Sequence, residues 1–145
     1  RLVGSEMCIR DRGVADYMER VVEEAKKNGY VETLFGRRRY LPELASSNFN
    51  MRAFGERVAR NMPIQGTAAD IIKIAMVHVR NRLKAEKLDA KLILQVHDEL
   101  IVECPEAESD TVKKILEEEM ANAVQLSVPM LAEAGSGKSW YQAKG

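Results

Sequence analysis

Asp98 and Glu99, adjacent carboxylates in the run Gln95-Val96-His97-Asp98-Glu99, are the residues of this chain best suited to chemistry. A hard cation such as Mg²⁺ selects carboxylate oxygens, and a cation so held can orient a phosphate or neutralise developing charge. The flanking residues supply the mount. Leu92, Leu94 and Val96 alternate with Ile93, Gln95 and His97, and Leu100 and Val102 alternate with Ile101 and Glu103. Strands are therefore expected over Lys91 to Val96 and Leu100 to Cys104. With His97 counted into the first alternation, only two residues remain for the turn, which puts Asp98 and Glu99 where the chain reverses. Acidic residues also occupy hairpin turns simply because they are well solvated there, and these five residues alone leave both readings open.

A second constellation is Arg57 and Asn61, four apart and so on one helical face, with Gln65 just beyond Pro63. Guanidinium and amide groups in a line suit the minor groove of a duplex, where N3 and O2 acceptors occur in every base pair. The plainer alternative is a solvated face opposite Phe54 and Val58. Arg37-Arg38-Arg39 beside Tyr40 could hold phosphates with a salt-sensitive strength, or could keep a hairpin edge soluble. His78 has no ligand set nearby and reads as structural, whereas His97 directly precedes the carboxylates. The segment Ala132 to Ser139 approaches the phosphate-cradling G-x-x-x-x-G-K-[ST] pattern, but Ala132 replaces the first glycine. With six residues after Ser139, no helix of useful length can follow it.

The elements that must position these groups are legible from periodicity. Val14, Tyr17, Met18, Val21, Val22 and Ala25 predict an amphipathic helix over Gly13 to Asn28, stopped at Asn28-Gly29. Tyr30 to Thr33 and Arg38 to Leu41 predict a short hairpin around Phe35-Gly36. A second helix is expected from about Asn48 to Met62, burying Met51, Phe54, Val58 and Met62 and ending at Pro63. Thr67 and Asp70 look like a capping box opening a third helix with Ala68, Ile72, Ala75, Met76, Val79 and Leu83 on its apolar face. Val112, Ile115, Leu116, Met120 and Ala123 mark a fourth helix, and Val128 to Ala134 a last strand. A tight hairpin between long amphipathic helices implies an α+β fold with an antiparallel sheet, not a doubly wound parallel one.

The 145 residues suit one domain, burying roughly 70% of the unfolded surface. With 22 basic and 22 acidic residues the net charge is zero, yet the charges are segregated. Lys26 to Arg60 holds eight Lys or Arg against three Glu, whereas Glu103 to Glu119 holds seven acids against two Lys. The basic stretch can face a polyanion and the acidic one cannot. Cys8 and Cys104 make neither a disulfide framework nor a zinc site by spacing, which suits a reducing interior. No membrane span is expected, since no apolar run approaches roughly 20 residues. Residues 1–12 have no period and join the first helix abruptly, as a segment foreign to the gene or an ordinary ragged terminus would.

Three segments together resemble family A DNA polymerases: Gly29-Tyr30-Val31-Glu32-Thr33-Leu34-Phe35-Gly36-Arg37-Arg38-Arg39, then Met62-Pro63-Ile64-Gln65-Gly66-Thr67-Ala68-Ala69-Asp70, then Gln95-Val96-His97-Asp98-Glu99. The resemblance runs from Gly13 to Gly145 and is to the C-terminal portion of the palm region of the bacterial enzymes, whereas residues 1–12 do not match. It implies template-directed addition of deoxynucleotides to a primer 3′ end, in DNA replication and repair, at a pair of Mg²⁺ ions. By the same resemblance Asp98 is the metal-binding carboxylate and Glu99 its catalytic neighbour. His97 lies near the primer terminus, and Arg57, Asn61 and Gln65 contact the primer-template. The implied partners are primer-template DNA, deoxynucleoside triphosphates and the N-terminal part of the polymerase, in the bacterial cytoplasm at the nucleoid. The family's other metal-binding aspartate and its fingers helix are not among these residues, so the chain alone is expected not to polymerise. The alternative is a non-catalytic duplex-binding or structural module derived from a palm.

Overall fold

The computed structural model describes residues 12–127 and 130–143, with side chains from Asp16 onward. Helix α1 (Arg12–Asn28) leads into a hairpin of β1 (Tyr30–Glu32) and β2 (Arg38–Tyr40), followed by a 3₁₀ turn at Pro42–Ala45. Helix α2 (Phe49–Ala85) precedes a second hairpin, β3 (Lys91–Val96) and β4 (Glu99–Glu103). A 3₁₀ turn at Glu106–Glu108 then opens α3 (Ser109–Ala121), and a single turn, α4 (Trp140–Ala143), closes the described residues. Both hairpins are two-stranded and antiparallel, so the α+β expectation holds. Contacts divide the chain into two units, one ending at Asp70 and the other beginning at Ile71, a boundary inside α2.

In the first unit Val21, Val22 and Ala25 of α1 pack with Val31, Leu41, Leu44 and Ala59. The helix over Gly13 to Asn28 and the hairpin after it are as expected from the sequence, though the side chain of Val14 and residues 1–11 lie outside the described residues. Tyr30 and Tyr40 face each other across the hairpin edge to face, with centroids 5.6 Å apart.

Helix α2 departs from expectation in three ways. Pro63 does not end it; one helix of 37 residues runs through it. An interior proline forfeits a backbone hydrogen bond and costs about 3 kcal/mol in isolation, but Pro63 is itself buried, and packed segments on both sides offset that cost. Thr67 and Asp70 consequently lie inside the helix and cap nothing; the start is capped by Asn48, whose Oδ1 accepts the Asn50 N–H at 2.9 Å. Finally, the fully buried face is Gly55, Ala59 and Pro63, one position on from Phe54, Val58 and Met62, of which Val58 and Met62 are partly buried and pack against the same core. Met51 and Phe54 remain 45% and 42% exposed. Small residues on this face let the chain at Leu44 approach: a Cβ at Gly55 would stand 3.1 Å from Leu44 Cδ2.

In the second unit Ile72, Ala75, Val79 and Leu83 of α2 form the expected stripe, joined by Ala90, Leu100, Val112, Ile115, Leu116, Met120 and Ala123. Met76 is only partly buried and Ala68, which precedes this unit, is exposed. Arg82 ties α2 to α3 through Glu118 at 2.5 Å and Glu119 at 3.3 Å, and His78 Nδ1 lies 4.0 Å from Glu119 Oε2. Residues 130–134 form no strand, and Val128 and Pro129 lie outside the described residues. That run contains Pro129 and only one β-branched residue. It is held instead by its backbone, the Ala134 N–H donating to Glu117 at 3.0 Å.

Candidate metal-binding hairpin and nucleic-acid groove

The β3–β4 hairpin pairs Val96 with Glu99, so the turn is the two residues His97 and Asp98. Glu99 is therefore not at the reversal but is the first residue of β4. His97 adopts φ 52°, which a two-residue turn matching the strand twist demands of its first residue. With no glycine there, the turn is braced: the Gln95 amide donates to the His97 carbonyl at 2.5 Å. A register shift between Leu92 and Leu94 makes Ile93 a bulge, which breaks the strict alternation read from sequence and leaves Ile93 and Leu94 each 50% exposed.

The two carboxylates differ in their freedom. Asp98 is exposed, and its side chain has no hydrogen bond or ion pair among the described residues. Glu99 is half-buried, with Oε2 accepting the Trp140 Nε1–H at 3.2 Å. Mg²⁺ keeps several waters and takes one or two carboxylates beside substrate phosphates. Asp98 fits as one such ligand, with Glu99 next to it. Among the described residues no group of three or more His, Cys, Asp or Glu side chains that could hold a metal ion is assembled.

The second constellation gains from the continuity of α2. Because the helix passes through Pro63, Gln65 falls in register with Arg57 and Asn61, giving a line at i, i+4 and i+8. All three are exposed, and none of their side chains is engaged by another described residue. They line an open groove of about 670 Å³ whose α2 wall also includes Phe54, Val58, Met62 and Gly66 and whose hairpin wall carries Arg37, Arg38 and Arg39.

The three arginines are not equivalent. Arg37 Nε donates to Asp70 Oδ1 at 2.8 Å, and its Nη2 to the Gly66 carbonyl at 3.1 Å. Arg38 pairs with Glu32 and lies 4.4 Å over the Tyr30 ring, and these contacts, Glu32 foremost, raise its pKa above the ordinary arginine value. Arg39 is exposed with no partner among the described residues. Sequence reading missed the ties of Thr67 and Asp70 to this hairpin, which span 33 positions and leave no short-range signal, and the local role of Thr33, whose hydroxyl accepts the Phe35 and Arg37 N–H groups. The Leu34 N–H donates to Thr67 Oγ1 at 2.9 Å, where a capping role was expected.

A model of DNA polymerase family A matches residues 8–142 of the sequence. This chain belongs to DNA polymerase family A. DNA polymerase I of Bacillus subtilis (strain 168) is 55% identical over 133 residues, 92% of this chain, and that of Bacillus caldotenax 54% identical over 132 residues, 91% of it. The family A chain spans 15% of the length of each of these relatives. Its structure is similar to the POL domain of Pol1 from M. smegmatis, solved in complex with DNA primer-template and dNTP. That similarity has a TM-score of 0.87 at 49% identity and covers 92% of this family A chain and 24% of the other.

Proposed function

We propose that this chain is the C-terminal palm portion, over residues 13–145, of a DNA-directed DNA polymerase that adds deoxynucleotides to a primer 3′ end in replication and repair. The observation that carries the reading is the row Arg57, Asn61 and Gln65, three unengaged polar side chains on one helix face above an arginine-walled groove. Donors in such a row can meet the N3 and O2 acceptors that every correct base pair presents at similar positions, so they test pair geometry without reading sequence. Arg39 is the member of the arginine run left for a backbone phosphate, since Arg37 and Arg38 are paired within the protein.

Asp98 supplies a carboxylate to Mg²⁺, which when bound neutralises charge at the transferring phosphate. The braced turn fixes the backbone from which that carboxylate projects, Glu99 remains beside it under the hold of Trp140, and His97 lies toward the primer terminus. Primer-template DNA, deoxynucleoside triphosphates and the preceding part of the polymerase complete the assembly, in the bacterial cytoplasm at the nucleoid. No helix among the described residues is long and apolar enough to cross a membrane.

With no third acid joined to Asp98 and Glu99 among the described residues, the chain alone does not polymerise in this reading. Primer extension by the purified 145-residue chain with Mg²⁺, beside an Asp98→Ala control, tests this. No extension is expected from either protein. Template-directed synthesis by the unaltered chain that Asp98→Ala abolishes would refute the need for further residues.

A further inference from the structure

The tip of the β1–β2 hairpin is fastened to α2 at several points. Thr67 Oγ1 accepts the Leu34 N–H at 2.9 Å, Asp70 Oδ1 accepts Arg37 Nε at 2.8 Å, and the Gly66 carbonyl accepts Arg37 Nη2 at 3.1 Å. Thr33 closes the turn from inside: it is 5% exposed, and its hydroxyl accepts the N–H groups of Phe35 and Arg37. These ties begin directly after Gln65 on α2 and reach to two residues before Arg39 on β2, the two walls of the groove. The Asp70 side chain is 12% exposed, and its Oδ2 is buried with no hydrogen-bond partner in the protein. Arg37 is thus the charge that compensates this carboxylate, and a guanidinium so committed is withheld from phosphate.

We infer that Asp70 is a positioning residue for duplex binding: it converts Arg37 from a phosphate ligand into a strut that sets the arginine-bearing wall of the groove against the Gln65 wall. Thr67 is the second point of the same latch. This rests on the proposed duplex-binding role of the groove. A residue of this kind touches no nucleotide, yet it decides how many cations the DNA meets. Each Lys or Arg that neutralises a phosphate adds about 0.9 to the slope of log affinity against log salt. The paired Arg37 adds none.

The test is binding of the 145-residue chain to a fluorescent primer-template duplex across about 50 to 200 mM salt, together with amide hydrogen exchange at Leu34 and Arg37. Asp70→Asn is expected to free Arg37, speed exchange at both amides and steepen the slope by about 0.9, a further three- to fourfold loss of affinity over that range. Arg37→Gln should also speed exchange at Leu34 but leave the slope as in the unaltered chain, and Asp70→Glu should restore the original slope. If Asp70→Asn fails to fold, Thr67→Val carries the test, with faster exchange at Leu34 and an unchanged slope. A slope that falls by about 0.9 in Arg37→Gln would make Arg37 itself a phosphate contact and overturn the inference. So would unaltered slope and exchange in Asp70→Asn. Failure of the unaltered chain to bind the duplex would instead overturn the groove's assignment and this inference with it, recognisable because exchange at Leu34 would still respond to Asp70→Asn.

Discussion

Replacing Gly66 by alanine sets two well-defined effects against each other. In a helix interior the change is intrinsically favourable by about 1 kcal/mol. Here the added Cβ would stand 2.7 Å from Thr33 Cγ2, closer than such atoms come. Thr33 cannot simply turn its methyl away, because its hydroxyl is engaged by the Phe35 and Arg37 N–H groups at 3.3 and 3.2 Å, each bond contributing about 1 kcal/mol. Overpacking of this kind costs roughly 1 to 3 kcal/mol, so Gly66→Ala should be destabilising by about 1 kcal/mol net. Thr33→Ser removes the obstructing methyl, keeps the hydroxyl and should cost about 0.8 kcal/mol. The double variant then loses the clash and keeps the helix gain, returning close to the parent stability. A double-mutant cycle read by urea unfolding and far-ultraviolet circular dichroism should give a coupling of about 2 kcal/mol, well above the ~0.5 kcal/mol expected of independent sites. Additive single changes, or a Gly66→Ala variant stabilised by about 1 kcal/mol, would refute the close approach of the hairpin to α2.

In the second unit, Val79→Ala should destabilise by roughly 2 kcal/mol, measured by thermal unfolding, because Val79 is fully buried and two methyl groups leave a cavity behind. The Arg82 hydrogen bond, with a lesser contribution from Lys114, holds the Glu118 carboxyl below its ordinary 4.5. A depressed carboxyl stabilises the fold above its unfolded value and loses that effect as pH falls through the folded one. Arg82→Gln should therefore flatten the unfolding-versus-pH curve below about 4.5, and a curve parallel to the parent's would remove the assigned cause. Gln65→Ala, with the segment placed in a complete polymerase, should impair primer extension while shifting stability by no more than about 0.5 kcal/mol, since the side chain is exposed. A sharp fall in melting temperature would make Gln65 a packing residue instead.

Periodicity was a sound guide wherever one face of an element meets one core. The stripe Ile72, Ala75, Val79 and Leu83, the helix bearing Val112 and Ile115, and the hairpin around His97-Asp98 were all legible for that reason. It misled where small residues do the packing. Large apolar residues drew the buried face of the early part of α2 onto Phe54, Val58 and Met62, but Gly55, Ala59 and Pro63 admit the neighbouring chain. Pro63 reads locally as a terminator because its cost is real, and tertiary packing overrides it. The same error split the row of Arg57, Asn61 and Gln65, whose regular spacing appears only once α2 is continuous. Thr67 and Asp70 show the reverse case. Their local pattern fits a cap, but their hydroxyl and carboxylate are used by Leu34 and Arg37, at sequence separations of 33.

The claim that this segment is a working part of a polymerase palm is tested most directly by transplanting it. Residues 13–143 would replace the matching portion of DNA polymerase I of Bacillus caldotenax, 54% identical to this chain over 132 residues, and primer extension with Mg²⁺ would be measured with and without Asp98→Ala. The account predicts a chimera that extends the primer and an Asp98→Ala chimera that folds and binds primer-template yet loses extension by several orders of magnitude. Extension that survives Asp98→Ala undiminished would contradict it.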